Sequence, residues 1–425
     1  MVKVFKFGGA SVKDSAAIQN VAEILTKYPE DSILVVISAM GKTTNKLEEV
    51  VSAYQLSDEA LFLRLINDLE AFHSQILLAL FSDRQRKIYQ IIETIFNQLR
   101  MRFSKPFSEN YSFEYDQIVS LGEVLSSRII DAYLTEKGFS SVWTDARSLL
   151  RTDNNYQEGN VDWKKTEELI QQNLRPLFTH KKIIVSQGFV GHTSEGMTTT
   201  LGREGSDYTA GIFAHCMHAE SVTIWKDVPG MLNADPKLFE DTVLLKQISF
   251  KEAIELSYYG ASVIHPKTVK PLQNKNIPLY VKSFIKPDEK GTVIQANSDF
   301  DSLVPSYILK FDQVLYTITP KDFSFLVEEN LSGIFKRLAD AHAKINMMQN
   351  SALSFSILLD RKKVNPDQVL QMFSDSYHVK YNEGLELITI RHYDESTIQK
   401  VTKNKEILVQ QRTRQTARLV VKKIE

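Results

Sequence analysis

The amino-acid sequence predicts an α/β domain with a mainly parallel sheet sandwiched by helices, followed by a pair of small α+β domains of βαββ type. One observation is the run S-I-L-V-V-I-S-A at 32–39, which is typical of a strand buried on both faces of a parallel sheet. Similar short runs alternate with helical patterns up to about residue 283, and this alternation indicates an α/β fold. Beyond residue 298, a strand–helix–strand–strand pattern occurs twice at a smaller scale.

Composition limits the possible classes of protein. The 425 residues include 43% hydrophobic residues, enough for sizeable cores in two or three domains. The 51 basic and 52 acidic residues nearly balance, which argues against a nucleic-acid-binding protein. Cys216 is the single cysteine, so neither an intrachain disulfide nor a cysteine-based metal site is expected. With no signal-like or membrane-spanning run in the sequence, we expect a cytoplasmic protein without membrane contact.

The first domain opens with a β-α-β pattern. Residues 2–7 alternate apolar and basic side chains and end at Gly8-Gly9, residues 16–28 have helical spacing, and the strand at 32–39 follows. A helical segment at about 56–136 looks like an insertion or lid beside the sheet. Its predicted helices cover 58–81, 84–103 and 116–136. Further buried strands are predicted at 141–144, 182–186 and 221–225, and Ser249 begins a capping box.

A turn-rich stretch after Ser283 marks the predicted domain boundary. We expect a catalytic domain at 1–298, a first small domain at 299–380 and a shortened second one at 381–425. The first small domain is predicted from strands at 307–319, 343–349 and 354–359, a helix at 331–342, and a helix start at Asn365-Pro366. The second is predicted from strands at 385–391, 406–411 and 416–422 and a helix at 396–402.

Four polar clusters each follow a predicted strand, where a parallel sheet commonly binds its ligand. They are Lys6 with Gly8-Gly9, S-A-M-G-K-T-T-N at 38–45, T-T-T-L-G-R-E-G-S-D at 198–207, and W-K-D-V-P-G-M-L-N-A-D-P-K at 225–237. Glycine loops, helix starts, lysines and an arginine suit anions. Taken singly, each cluster also fits a solvated strand end or an ordinary turn. The spacing G-x-x-x-x-G-K-[ST] of a P-loop is absent from these clusters.

Together with Ser120-Leu-Gly-Glu123 and Gly188-Phe-Val-Gly191, these clusters resemble, in order, the motifs of the aspartate kinases in the amino acid kinase superfamily. Family members carry C-terminal ACT regulatory domains, and the resemblance covers essentially the whole chain. It implies ATP-dependent phosphorylation of the side-chain carboxylate of L-aspartate, the first step toward lysine, threonine and methionine. We expect a monofunctional aspartate kinase without a fused homoserine dehydrogenase.

The resemblance also implies roles for individual residues. Lys6 would neutralise charge on the transferred phosphoryl group, and Asp207 would hold Lys6 in place. Glu123 would pair with the substrate ammonium and Arg203 would bind a carboxylate, while Ser38 and Thr44 would line the same pocket. The implied nucleotide-binding residues are Gly8, Gly9, Ser206, Lys226, Asp227, Asp235 and Lys237. Mg²⁺ would arrive with ATP and be held largely by phosphates and water, so we name no dedicated metal ligand in the protein.

Three departures from the family pattern stand out. Glu204 occupies a position where the family usually has glycine, and Ser262 occupies one where many relatives have lysine, so both make the site less positive. Lys267 either compensates for Ser262 or is simply solvated, and we expect His265 to be a packed structural histidine. In the regulatory region, Ala352 replaces an acidic residue of the ACT pattern.

Regulation and two rival functions complete the expectations. An effector site for lysine or threonine, formed at the interface of a homodimer or higher homo-oligomer, is expected near Asn346, Gln349, Asn350 and Ser351.

One rival function is that of a kinase acting on glutamate or an acetylated amino acid, but an acetylated amine has no charge for Glu123 to meet. The other is a catalytically weak regulatory subunit that binds amino acids, suggested by Glu204 and Ser262.

Overall fold

The computed structural model describes residues 1–261, 263–322 and 324–424 of the chain. The departure at Ser262 therefore lies outside the described residues. The chain divides into two compact units. The first contains the described residues of 1–232, 244–257 and 262–301, and the second those of 233–243, 258–261 and 302–425.

Eight of the described strands in the first unit form one sheet, and two more form a separate hairpin. The strands are β1 Val2–Phe7, β2 Ser32–Ile37, β3 Ser141–Thr144, β4 Ile183–Gln187, β5 Val190–His192, β6 Thr198–Thr200, β7 Ser221–Lys226, β8 Gln247–Ser249, β9 Leu279–Ser283 and β10 Thr292–Gln295. The sheet order is β3-β4-β2-β1-β7-β9-β10-β8, and only the β9–β10 pair is antiparallel. The mainly parallel sheet predicted from the sequence is confirmed.

Helices cover this sheet. They are α1 Ser15–Thr26, α2 Thr43–Gln55, α3 Glu59–Leu80, α4 Lys87–Arg102, α5 Tyr111–Val119, α6 Leu121–Glu136, α7 Trp163–Leu169, α8 Gly205–Met217, α9 Phe250–Tyr259 and α10 Pro266–Lys275. Successive side chains of β1 point to opposite faces of the sheet. Phe5 and Phe7 point to one face and join the core formed with α1 to α4 and α6. Val4 and Lys6 therefore point to the opposite face, where α8 packs against β1 and β7. No helix in the described ranges is long and apolar enough to span a membrane.

The helical segment predicted as an insertion or lid is part of the main core. Phe62 of α3 and Phe96 of α4 are fully buried in the same cluster as Phe5 of the central strand. The single helix predicted at 116–136 is wrong, because the structure has two helices, α5 and α6, that meet at Ser120. A side chain at Gly122 would lie 3.0 Å from Ala39, so glycine lets α6 begin close against the loop after β2.

The second unit is built around two long antiparallel strands. Its elements are β11 Ser306–Pro320, α11 Glu328–Asp340, β12 Ile345–Asn350, β13 Phe355–Asp360, α12 Pro366–Phe373, β14 Tyr377–Arg391, α13 Glu395–Thr402, β15 Lys405–Arg412 and β16 Thr416–Lys423. The sheet order is β12-β13-β11-β14-β16-β15. Strand β14 is longer than the predicted 385–391, because its first half also pairs with β11. The domain boundary predicted between residues 380 and 381 falls inside this strand.

A β-bulge divides β11 and β14 into two halves, with Asp312 in the left-handed region at φ 54°. The second half of β11 shares a core with α11 and α12, whereas the second half of β14 shares one with α13. A third core joins Leu315 and Leu358 to Leu387 and Val420, so the two halves of the sheet pack face to face. The second ACT-like module is short in sequence because the start of β11 supplies one of its strands.

Candidate active site

A cleft of about 590 Å³ lies at the carboxyl ends of the central strands. Lys6 is next to last in β1, Ser38 follows β2, and Lys226 is the last residue of β7. These three strands are adjacent and parallel, so their carboxyl ends bring the three side chains to one edge of the sheet. The cleft is also lined by six further residues predicted for the site: Gly9, Thr44, Glu123, Arg203, Ser206 and Asp207.

Asp207 lies between two lysines. The Nζ atom of Lys6 is 2.5 Å from Oδ1, and the Nζ atom of Lys226 is 3.3 Å from Oδ2. Burial alone would raise the pKa of the Asp207 carboxyl, but the charges of the two ammonium groups outweigh it and hold this pKa below its ordinary value. The Lys226 ammonium also donates a hydrogen bond to the carbonyl of Val263. Both lysines are therefore fixed at the wall of the cleft.

Two glycine-containing loops meet beside Lys6. A Cβ atom on Gly9 would lie 2.8 Å from the carbonyl oxygen of Ala39 and 3.0 Å from that of Gly41, too close for any side chain. The amide of Gly41 donates to the carbonyl of Gly9 at 3.1 Å, which joins the loop after β1 to the loop after β2. Gly8 lies beside the Lys6 ammonium, since its Cβ position would be 3.4 Å from Nζ. Bare backbone thus surrounds the lysine, as an anion site requires.

Glu123 is a buried carboxylate in the first turn of α6, with 3% of its surface exposed. The amide of Ala39 donates to Oε1 at 3.3 Å, whereas Oε2 has no hydrogen-bond partner among the described residues. Burial raises the pKa of Glu123 to about 8, although the Ala39 amide and the charge of Lys6 act in the opposite direction. An unfilled acceptor at the wall of a cleft suits a ligand with a hydrogen-bonding cation, such as an ammonium group.

The loop between β6 and α8 supplies the opposite wall. The helix begins at Gly205, earlier than the apolar run that starts at Tyr208. Arg203 is exposed and forms no ion pair with any described residue, so its guanidinium is available to a ligand. Glu204 adopts the left-handed conformation at φ 54°, which explains why glycine suits this position in relatives. Glu204 is one of the residues that line the cleft, and its Oε2 atom is buried without a hydrogen-bond partner in the described structure.

Several residues that line or support the cleft were missed by sequence reasoning. The hydroxyl of Tyr115 donates to Oε1 of Glu48 at 2.8 Å, and both residues line the cleft. Asp116 is fully buried behind Gln157 and Thr200, which also belong to the lining. An aspartate within an apolar helical pattern, just before the S-L-G-E motif, was the available signal for Asp116.

The sequence profile of the amino acid kinase family matches residues 1–283, more than half of the chain. Aspartokinase 1 of Arabidopsis thaliana, a chloroplastic protein, is 30% identical over 406 residues, covering 91% of this chain and 68% of the relative. The chain belongs to the aspartokinases of the amino acid kinase family.

Other aspartokinases show the same similarity. Lysine-sensitive aspartokinase 3 of Escherichia coli K12 is 29% identical over 92% of this chain and 86% of its own length. The chain spans only 42% of the bifunctional aspartokinase/homoserine dehydrogenase 1 of Zea mays, at 28% identity over 91% of the chain. The structure of E. coli aspartokinase III in complex with aspartate and ADP matches 99% of this chain and 96% of its own, with a TM-score of 0.81 and 27% identity. The structure of E. coli aspartokinase III in complex with lysine and aspartate matches 99% of this chain and 96% of its own, with a TM-score of 0.80 and 26% identity.

Not all predicted nucleotide-binding residues of this aspartokinase line the cleft. Asp227 follows Lys226 and is exposed. Asp235 and Lys237 are exposed residues of a turn in the second unit, where Oδ1 of Asp235 accepts a hydrogen bond from the Lys237 amide at 2.9 Å. Their nucleotide role stays a prediction. Lys267 lines a separate cavity of about 490 Å³ beside α8 and α10.

His265 caps α10, the helix that carries Lys267. Nδ1 of His265 accepts a hydrogen bond from the Lys267 amide at 3.1 Å. This contact is consistent with the structural role expected for His265.

The predicted effector residues differ in their surroundings. Asn346 is buried in the second unit. Its side-chain NH2 group donates to Gln313 at 2.8 Å and to Asp360 at 3.0 Å, and its side-chain Oδ1 accepts from the Lys310 ammonium at 2.9 Å. The Asn346 side chain therefore belongs to an internal polar network at the bulge. The other three predicted residues are exposed at the end of β12 and in the turn after it: Gln349, Asn350 and Ser351.

Proposed function

We propose that this chain transfers the γ-phosphoryl group of ATP to the side-chain carboxylate of L-aspartate, giving ADP and 4-phospho-L-aspartate. One observation carries the proposal: the two lysines held by buried Asp207 and the unfilled carboxylate of Glu123 line the same cleft. The cations suit a polyphosphate, and Glu123 suits the ammonium group of an amino acid. The fold similarity to E. coli aspartokinase III, solved with aspartate and ADP, supports the assignment.

The chemistry requires positioning and charge stabilisation more than proton transfer. An oxygen of the substrate carboxylate bonds to the γ-phosphorus as the bond to the β–γ bridging oxygen breaks, and the electron pair leaves with ADP. The carboxylate is already ionised at neutral pH, so no strong general base is needed. Lys6 would stabilise the charge that develops on the transferred group, and Asp207 would hold its ammonium in place.

Substrate selection would come from both walls of the cleft. Glu123 would bind the ammonium group, and Arg203 would bind a carboxylate with its planar fork of donors. Ser38 and Thr44 line the cleft at the ends of the neighbouring loops and would contact the amino acid. On the nucleotide side, backbone at Gly8 and Gly9, the start of α8 at Ser206, and Lys226 with Asp227 would contact the phosphates. Nucleotide contacts by Asp235 and Lys237 are part of the same hypothesis.

Mg²⁺ would enter as the MgATP complex. The described residues contain no group of three or more histidine, cysteine, aspartate or glutamate side chains arranged to hold a metal ion. Mg²⁺ commonly keeps several waters and binds through substrate phosphates, so we propose that the phosphates and water hold the ion. When bound, it would screen the charge between the β- and γ-phosphates, while Lys6 and Lys226 neutralise the remainder.

The rival of a catalytically weak, amino-acid-binding subunit is favoured by one observation. Glu204 places a carboxylate at the cleft, and this charge opposes phosphate binding. An ADP-release assay with wild type and Lys6→Ala distinguishes the two functions. The kinase proposal expects aspartate-dependent ADP release and an acyl phosphate that hydroxylamine traps. Wild-type turnover no faster than that of Lys6→Ala would support the regulatory function instead.

The same assay tests substrate identity. Replacing L-aspartate with L-glutamate, N-acetyl-L-aspartate or succinate should abolish most turnover, since the last two lack the ammonium group that Glu123 is proposed to bind. Turnover of the acetylated amino acid equal to that of aspartate would reject the proposed role of Glu123. We further propose that the reaction takes place in the cytoplasm, which the single, buried Cys216 fits.

Feedback control is the second part of the proposal. We propose that lysine or threonine binds near Asn346, Gln349, Asn350 and Ser351 in a homodimer or larger homo-oligomer formed through the second unit. Strand β12 pairs only with β13 among the described strands, and the side chains of Gln411 and Arg418 donate to its Met348 and Asn346 carbonyls, so the exposed end at Gln349 and Asn350 is the part that we propose a second copy contacts. Activity titrated with lysine, threonine and methionine, with the molar mass measured by light scattering, tests this. A monomer unaffected by all three amino acids, singly or in pairs, would reject it.

A further inference from the structure

Asp116 is a buried carboxylate of α5 whose described hydrogen-bond partners are all neutral donors. The amides of Gln157 and Thr200 each donate to Oδ2 at 2.9 Å, and the Thr200 hydroxyl donates to Oδ1 at 2.6 Å. Three donors from two separate segments thus converge on one side chain. Because both partners line the cleft while Asp116 is fully buried, Asp116 acts on the cleft only through them.

The first segment is held in an unfavourable conformation. Gln157 has φ 68°, a left-handed conformation that costs roughly 1–2 kcal/mol for a residue with a side chain. Such a conformation persists only where the surroundings fix it. The bond from the Gln157 amide to Asp116 is a direct restraint of this kind.

This segment also packs against the loop that carries Arg203. A Cβ atom on Gly202 would lie 3.3 Å from the carbonyl oxygen of Gln157 and 3.4 Å from Cγ of Glu158. Gly202 immediately precedes Arg203 in the chain, and Thr200 lies three residues before it. The backbone that leads into Arg203 therefore contacts both Asp116 and the Gln157 segment.

We propose that Asp116 is a positioning residue for the amino-acid half of the cleft, which fixes Gln157 and Thr200 and thereby the loop that presents Arg203. This inference rests on the proposed function. The two carboxylate oxygens accept three donors at once, and the single acceptor oxygen of an asparagine could still serve the two amides that share Oδ2. A carboxylate also costs more to bury than an amide.

The test compares Asp116→Ala and Asp116→Asn with wild type and with the control Asp131→Ala. Asp131 is a partly buried carboxylate of α6 that does not line the cleft. For Asp116→Ala, we expect the KM for aspartate to rise at least about tenfold, with kcat and the KM for ATP changing less than about threefold, because lost substrate binding appears in KM. Asp116→Asn can still accept both amides and should recover most of the aspartate affinity.

Amide hydrogen exchange supplies a second readout. The Gln157 and Thr200 amides should exchange faster in Asp116→Ala than in wild type, while those in Asp131→Ala should not change. Thr200→Val keeps the shape of the side chain and removes only the hydroxyl donor, so it replaces Asp116→Ala if that variant does not fold. We expect it to raise the KM for aspartate by about two- to fivefold with kcat preserved.

Each result has a defined meaning. A folded Asp116→Ala variant with unchanged aspartate KM and unchanged exchange would overturn the inference, as would an unchanged Thr200→Val if the alanine variant is unfolded. An equal rise in KM for aspartate and ATP would show a merely structural role. Absence of aspartate-dependent turnover in wild type would reject the proposed function instead, and the exchange rates would then decide whether Asp116 holds the two segments.

Discussion

The Nζ atom of Lys6 lies 2.5 Å from Oδ1 of Asp207, and this contact joins the first strand of the chain to the start of α8. Lys6 is 8% exposed and Asp207 is 2% exposed. A charge pair with so little solvent interacts more strongly than a surface pair, and its geometry is fixed before a ligand arrives. Lys226 shares the same carboxylate, so one aspartate orients two cations toward the cleft.

Lys6→Ala should lower kcat for aspartate-dependent ADP release by about 10²–10³, the usual cost of removing one preorganised donor to a developing charge. Lys3→Ala is the matched control. Lys3 lies on the same strand, but it pairs with Asp31 at 2.8 Å, away from the cleft. A coupled assay should therefore show normal kcat for Lys3→Ala. Equal losses in the two variants would contradict the assignment of Lys6.

Asp207→Asn should destabilise the protein by about 3–5 kcal/mol, because it leaves two ammonium groups facing each other in a buried site. Urea unfolding measures the change. Asp31→Asn weakens a pair with Lys3 whose side chains are 22% and 26% exposed, far more than those of Lys6 and Asp207, and should cost only about 0–1 kcal/mol. A similar loss in both variants would show that burial of the Lys6–Asp207 pair has no special consequence.

Glu123 predicts a pH dependence of substrate binding. Its pKa is raised to about 8 by burial, so at pH 7 the side chain is mostly protonated until a cation binds. Aspartate binding should then release a proton, and kcat/KM should rise with pH up to about 8. Calorimetry in buffers of different ionisation enthalpy measures the proton. Glu123→Gln should lose both the proton release and most of the aspartate affinity.

The same shift predicts a stability effect with a definite sign. Since the folded-state pKa lies above the ordinary value of 4.5, the folded state binds more protons than the unfolded state between pH 4.5 and about 8. Stability should therefore fall as pH rises through this window, provided that no ligand is bound. Glu123→Gln should remove this fall and melt above wild type at pH 8. A lower melting temperature for the variant at pH 8 would contradict the buried, unpaired state of Glu123.

The sequence predicted best those features that depend on neighbouring residues. The alternating pattern of β1, the apolar run of β2 and the cap at Asn365 were all local, and the structure has each of them. Features that depend on residues far apart in the chain were harder to predict from sequence. Strand β14 begins at Tyr377 and pairs with β11 in both of its halves, although the alternation of Tyr377, Val379 and Tyr381 with polar residues already indicated a strand there. The break at Ser120 reflects packing against a loop more than 70 residues earlier.

The candidate site shows the same limit. Motif positions indicated Lys6, Glu123 and Asp207, and the structure brings these three to one cleft. The position of Asp116 before the S-L-G-E motif marked it as unusual, but its role could not be assigned from sequence, because that role depends on donors from two segments that meet only in the folded unit. The unfilled oxygen of Glu123 is likewise a property of packing, and no pattern of residues reports it.

Glu204→Gly should increase stability and strengthen ATP binding. Glu204 has φ 54° at the start of α8, and glycine adopts this conformation without the roughly 1–2 kcal/mol penalty of a side chain. The substitution also removes a negative charge from the lining of a cleft proposed to bind phosphates. We expect a higher melting temperature and a KM for MgATP that falls several-fold. Glu204→Gln removes the charge but keeps a side chain in the left-handed conformation. It should therefore lower the KM for MgATP without raising the melting temperature.

His218→Gly separates backbone strain from charge, since His218 ends the same helix in the same conformation, at φ 52°. His218 is exposed and lies outside the cleft lining, so its replacement should raise the melting temperature while leaving the KM for MgATP unchanged. If Glu204→Gly and His218→Gly gave the same stability gain and neither changed the KM, the Glu204 carboxylate would have no electrostatic influence on the nucleotide. If Glu204→Gly raised the KM, Glu204 would be assisting nucleotide binding, for example through the hydrated Mg²⁺ that accompanies ATP.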